Sequence, residues 1–193
     1  MLMLKAMIAY VHVLAMIAGF TAMIVTETMI WRKYKEFSTE DYKTIYSLSN
    51  IVSVSLALLW LTGAALIVVG YMDNPDYIQN QKIWAKVVMV SIMTLNGVYI
   101  SRFIMPRIEG LQTCNTLVGS HFESAMFRLS FSLSVSGWML GAFFGVARFM
   151  NGGYAMLSVF SLYVMVVGFI FISSYIFGAA EFLRPERRNT ASD

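Results

Sequence analysis

Five apolar stretches, each long enough to cross a bilayer as a helix, run through this sequence: Leu4 to Met29, Leu48 to Met72, Ile83 to Met105, Met126 to Met150 and Ala155 to Ala179. A hydrocarbon core about 30 Å thick needs about 20 such residues in a helix. Membrane strands alternate over about ten residues, so runs this long predict helices. The expected fold class is therefore all-α, a polytopic transmembrane bundle of about five helices. Charge agrees, since only 13% of the 193 residues are charged against about 25% in soluble domains. So few charges cannot cover a soluble core, which excludes a soluble enzyme, a disordered chain and a nucleic-acid-binding domain. The single cysteine, Cys114, excludes an intramolecular disulfide framework and a cysteine-based zinc site.

The connections carry the polar residues. Arg32-Lys33-Tyr34-Lys35-Glu36 opens the first, Asp73-Asn74-Pro75-Asp76 breaks the chain after the second span, and Pro106-Arg107-Ile108-Glu109-Gly110 ends the third. Asn151-Gly152-Gly153 reads as a tight turn between the last two spans. Ser130, Ser132, Ser134 and Ser136 alternate as in a strand, but inside so long an apolar run they read as small residues on helix-packing faces. The first span is too long for a signal peptide, and Trp31-Arg32-Lys33 behind it resembles a stop-transfer flank, so it is expected to stay uncleaved. Residues 1–182 form the transmembrane domain and 183–193 a short basic tail.

With five spans, ten of the fourteen Lys and Arg residues fall on the side of the C-terminal tail: Arg32, Lys33, Lys35, Lys43, Arg102, Arg107, Arg128, Arg184, Arg187 and Arg188. Lys5, Lys82, Lys86 and Arg148 fall on the other. Positive charge marks the cytoplasmic side. The expected location is a bacterial inner membrane, with the N-terminus periplasmic and the C-terminus cytoplasmic.

Polar residues within hydrocarbon are costly and mark candidate sites. His12 lies eight residues into the first span, about 12 Å deep at 1.5 Å per residue, with Met16 one turn later on the same face. Imidazole and thioether both suit haem iron or copper; the plainer alternative is a histidine hydrogen-bonded to a neighbouring helix beside a core methionine. His121 sits at the opposite end of the bundle, so the two histidines are not expected to sandwich one haem within a single chain. With Glu123 beside it, His121 is expected to form a solvated loop pair.

Lys86 and Arg148 either snorkel to the outer head groups or join His12 in one outward pocket for an anionic or quinone-like head group. On the inner half, Glu27 is expected to pair with Arg102 or Arg128 as a structural clamp. Asn96-Gly97 is expected to tie helices by hydrogen bonding, and Asn50 with Ser49 and Ser53 to make a similar polar strip.

These residues resemble a family of bacterial five-helix inner-membrane proteins without an assigned reaction. The resemblance runs from His12 to about Tyr175. It is carried by His12-Val13-Leu14 with Gly19, Leu58-Leu59-Trp60-Leu61-Thr62-Gly63, Lys86 with Leu95-Asn96-Gly97, Pro106, Phe131 to Trp138, and Gly145-Val146-Ala147-Arg148. In relatives the first span usually ends in an Asp where Thr26-Glu27 stands, and many carry a polar residue after Asn-Gly where Tyr99 to Ser101 stands here. A histidine early in the first helix and a lysine opening a later one also look distantly like the haem-binding membrane protoporphyrinogen oxidase family and the copper-uptake membrane domain.

Three functions follow in order. The first is an accessory or assembly subunit of a larger membrane complex, partnered by lipid and by other subunits or a second copy. The second is a haem- or copper-handling redox protein using His12, with haem b, copper or quinone as cofactor. The third is a small transporter or channel, for a small molecule or an ion. Catalysis is not expected, and neither is a nucleic-acid partner.

Overall fold

In lipid every backbone N–H and C=O must find a partner within the protein, and a helix supplies one for each from its own chain. The computed structural model describes residues 2–33, 38–110, 121–147 and 156–182, within which the side chains of residues 31, 33, 110, 121 and 177–182 are not described. The described chain forms α1 (Leu2–Lys33), α2 (Thr39–Asp73), a 3₁₀ turn (Pro75–Gln79), α3 (Gln81–Tyr99), a π turn (Ile100–Ile104), α4 (Met105–Gly110), α5 (His121–Val146) and α6 (Met156–Phe182). There is no strand among the described residues. Five helices are long and apolar enough to cross a membrane, α3, the π turn and α4 together making the third. The all-α bundle expected from the apolar runs is the fold.

Two boundaries differ from the apolar runs for local reasons. The second helix begins at Thr39 rather than near Leu48. Ser38 accepts from the Asp41 backbone N–H at 3.1 Å while the Asp41 carboxylate accepts from the Ser38 N–H at 3.1 Å. This reciprocal capping box starts a helix in polar sequence, ahead of any hydropathy signal. The third span likewise runs on through Pro106 instead of stopping there. Proline lacks an N–H and its ring clashes with the carbonyl four residues back. Just upstream the helix widens into the π turn, where the Met105 N–H bonds Ile100 O, and this wider turn lets the helix carry the proline.

α1 and α2 form an antiparallel hairpin, closed at one end by Lys5 Nζ and Asp73 Oδ2 at 3.3 Å. Below, this is the Lys5 end of the bundle, and the opposite one is the Arg107 end. α5 is the central helix and touches α1, α3 and α6. That position explains its alternate serines: Ser130, Ser132, Ser134 and Ser136 are all buried, on both sides of a helix that is packed on both sides. Three apolar clusters fill the bundle. Met89, Phe144 and Tyr163 lie in the one near the Lys5 end, Met23, Leu56 and Trp138 in the middle one, and Ile45, Ile104 and Ile108 in the one at the Arg107 end.

Gly19 lets α1, α2 and α5 meet, because a Cβ there would run into the Trp138 ring and the Ser55 Cβ. Apolar side chains such as Leu61, Leu95, Val146 and Phe169 stay largely exposed on the outer faces. Such a surface fits a lipid surround.

Candidate functional site

Two polar centres lie within the bundle, one in each half. The first is built on His12, Thr62 and Lys86. His12 Nδ1 and Thr62 Oγ1 are 2.7 Å apart, bridging α1 and α2. The Thr62 hydroxyl has one proton, and it is donated to the Leu58 carbonyl at 2.5 Å. Toward His12 the oxygen therefore accepts, so the proton of a neutral imidazole sits on Nδ1. Nε2 keeps its lone pair and has no hydrogen-bond partner among the described residues. Gly63 flanks the ring, its Cβ position lying 3.7 Å from His12 Cε1. The stretch Trp60 to Gly63 thus serves two neighbours: Trp60 Nε1 donates to Thr94 Oγ1 on α3 at 3.0 Å, while Thr62 turns to α1.

Lys86, on α3, is half-buried, and its ammonium lies within electrostatic reach of the His12 ring. It has no hydrogen-bond or ion-pair partner among the described residues. Met16 packs against the middle apolar cluster beside Ala15 and Trp138. Arg148, expected at the same mouth, lies outside the described residues, as do Cys114, the turn at 151–153, the tail at 183–193 and the side chain of His121.

The cation that anchors this end was missed in the sequence. Lys82 is buried and donates from Nζ to the Ala147 carbonyl, just past the end of α5. A cation there meets the negative end of the helix dipole. No pattern along the chain pairs residue 82 with residue 147; only the packing of α3 against α5 does.

The second centre is a cavity of about 80 Å³ between α1, α2, the third span and α5, toward the Arg107 end. Glu27, Ser53, Ser101, Ser130 and Trp138 are among its lining residues. Asn96 sits beside it, donating from Nδ2 to the Ser130 carbonyl at 2.9 Å and to Ser134 Oγ at 3.0 Å, so it ties α3 to α5 as expected. The expected clamp on Glu27 does not form. Glu27 Oε2 is buried with no hydrogen-bond partner among the described residues.

Neither proposed partner of Glu27 pairs with it. Arg128 turns to α6, donating to the Ser174 carbonyl and stacking 4.8 Å from the Tyr175 ring centroid, while Ser124 Oγ accepts from its Nε at 3.3 Å. Arg102 is exposed. Equal depth in the membrane did not imply a shared face. Glu123, expected to stand beside His121, forms an ion pair with Arg107 at 2.8 Å.

The donor set at His12 can be weighed against the cofactors raised above. Copper sites gather several nitrogen or sulfur ligands. Among the described residues no three His, Cys, Asp or Glu side chains gather to hold a metal ion. Haem needs only one protein nitrogen on the iron and a cation for a propionate, which Nε2 of His12 and Nζ of Lys86 supply. The free Nε2 of His12 fits the single nitrogen that a haem iron requires, while Met16, the thioether one turn on, packs against the middle apolar cluster. Comparison with protein-family models, with curated proteins and with solved structures finds no match to this chain.

Proposed function

We propose that this protein is an inner-membrane accessory protein that holds a haem-class ligand at His12, for use within a larger membrane complex. One observation carries the reading. Thr62 fixes the His12 ring through Nδ1 and leaves Nε2 with a free lone pair, half-buried, within electrostatic reach of the half-buried Lys86. Holding the far nitrogen of an imidazole by a hydrogen bond is how proteins orient a metal-ligating histidine and raise its basicity. Lys86 complements a carboxylate at the rim, which orients the ligand. Haem, if bound, would supply the iron chemistry, with His12 Nε2 holding the iron and Lys86 a carboxylate. One imidazole and one ammonium suit holding a ligand more than converting it, which favours an accessory role over catalysis. The resemblance of His12, Lys86 and Asn96-Gly97 to the five-helix family and to haem-binding membrane oxidases supports the same reading.

The test is the absorbance spectrum of the purified protein, as isolated and after addition of haemin. The expected result is a Soret band with reduced-state bands of a b-type haem. His12→Ala should abolish it while circular dichroism still shows the helices, and Lys86→Ala should weaken haemin binding without removing it. A chain that takes up no haem, or a His12→Ala spectrum identical to the parent's, overturns the proposal.

A further inference from the structure

Three buried side-chain atoms have no hydrogen-bond partner among the described residues: Glu27 Oε2, Ser130 Oγ and Ser136 Oγ. Two of the three, those of Glu27 and Ser130, line the same cavity. Leaving a buried polar atom unpaired is costly, and a carboxylate in low dielectric more so. Two residues with such atoms lining one cavity indicate that the cavity holds what pairs them.

We propose that the cavity between α1, α2, the third span and α5 is a binding site for a monovalent alkali cation of the Na⁺ class, held by the Glu27 carboxylate and the Ser130 hydroxyl with part of its water shell. The sign of the ligand follows from the lining. Thr26 donates its hydroxyl proton to Ala22 O at 2.8 Å and Ser53 donates its own to Ser49 O at 3.0 Å, so each of these lining residues can offer a ligand only its oxygen lone pairs. A carboxylate and hydroxyl oxygens whose protons are already engaged make an oxygen-rich surround, the preference of a hard cation.

The charge follows from the count. Glu27 is the one acidic residue lining the cavity, and hard divalent ions are bound by several carboxylates or by carboxylates with phosphates. Protein cations do not neutralise it. Arg32 shares an adjoining open groove with Glu27, but it is exposed and forms no ion pair with the carboxylate; Arg102 is exposed and unpaired with it, and Arg128 turns to α6. Size is consistent as well: about 80 Å³ holds roughly five waters at about 15 Å³ each, enough for a small ion that keeps some of its shell. The π turn adds a local reason, since Ile100, Ser101 and Ile104 line the cavity and such turns gather at functional sites. The adjoining groove, which shares Met23, Glu27 and Phe131 with the cavity and reaches Arg32, gives the ion a path from the Arg107 end.

Trp138 lines the cavity, so its fluorescence reports occupancy. The experiment titrates NaCl against N-methyl-D-glucamine chloride at constant ionic strength and pH. It uses the full chain in nanodiscs of zwitterionic lipid, reading tryptophan emission and the unfolding midpoint. The expected result is a saturable change in emission with a rise in midpoint. Both should be absent in Glu27→Gln, and Ser130→Ala should raise the half-saturating concentration roughly tenfold, the effect of losing one oxygen bonded to a charge. Glu27→Asp keeps the charge one methylene further back and should still saturate, at higher concentration; with Ser130→Ala it carries the test if Glu27→Gln fails to fold. The proposal is overturned by the absence of any saturable response, by an unchanged titration in Glu27→Gln or Ser130→Ala, or by a signal that follows pH alone and ignores the cation. That last result would make Glu27 a protonated carboxyl among waters.

Discussion

His12 shows how much of a candidate site depends on one neighbouring hydroxyl. If Thr62 accepts from Nδ1–H, a valine of nearly the same shape removes the acceptor and leaves that N–H buried without a partner. An unsatisfied buried donor costs about 1–3 kcal/mol. Thr62→Val should therefore lower the unfolding midpoint, and it should cost haem affinity as well, because the imidazole loses both its fixed orientation and the bond that raises its basicity. The contrast with Lys86→Ala separates the roles: the lysine variant should keep the Soret position and lose only affinity, while Thr62→Val should shift the band. Equal stability and an unshifted band in Thr62→Val would mean that the threonine does not hold the ring. The histidine stood out in the sequence because a polar residue in an apolar run always does. Its partner did not, because threonine is common in membrane helices and bonds its own carbonyls there.

Helices were legible in the sequence wherever hydropathy produces them and illegible wherever local chemistry does. The five spans follow from apolar length, but the start of α2 at Thr39 follows from four polar residues that a hydropathy reading passes over. The π turn ahead of Pro106 follows from a ring clash, which looks like a stop signal when only the sequence is read. Contacts between elements were harder still. Asn96 was correctly expected to tie helices, since an amide in mid-span has few other uses, whereas Glu27 was matched to the arginines at its depth and neither pairs with it.

The capping box offers a test confined to one element. Ser38→Ala removes the side chain that accepts from the Asp41 N–H, a loss of about 0.5–2 kcal/mol. Because the apolar part of α2 is packed independently, the helix should fray only at its first turns. Hydrogen exchange at the amides of Asp41 to Lys43 should accelerate by about tenfold or more, while exchange from Ile51 onward stays as in the parent. Uniform acceleration along α2 would show that the cap holds the whole helix.

At the scale of the molecule, the distribution of basic residues predicts an orientation, and the structure shows how each of them is placed. Of the four basic residues assigned to the Lys5 end, Arg148 lies outside the described residues. Lys82 is buried against the Ala147 carbonyl, Lys86 is half-buried beside His12, and Lys5 pairs with Asp73. Two of these three, Lys82 and Lys86, are drawn into the protein, while Lys5 stays partly exposed at the surface. At the opposite end Arg32 and Arg102 are exposed and unpaired among the described residues, and Arg107, although paired with Glu123, is exposed as well. Retention of cytoplasmic loops depends on Lys and Arg near the span ends, with acidic residues contributing little, so the Arg107 end is expected in the cytoplasm. Five crossings would then put the N-terminus and the Pro75–Gln79 turn on the periplasmic side. An alkaline phosphatase fused after Asp76 should be active and one fused after Asp193 inactive, with a green fluorescent reporter giving the reverse pattern. Activity on the same side at both points would change the number of crossings. Exchanged sides would keep the five helices but place the Glu27 cavity toward the periplasm and His12 toward the cytoplasm, so haem would have to reach His12 from within the cell and the cation from outside.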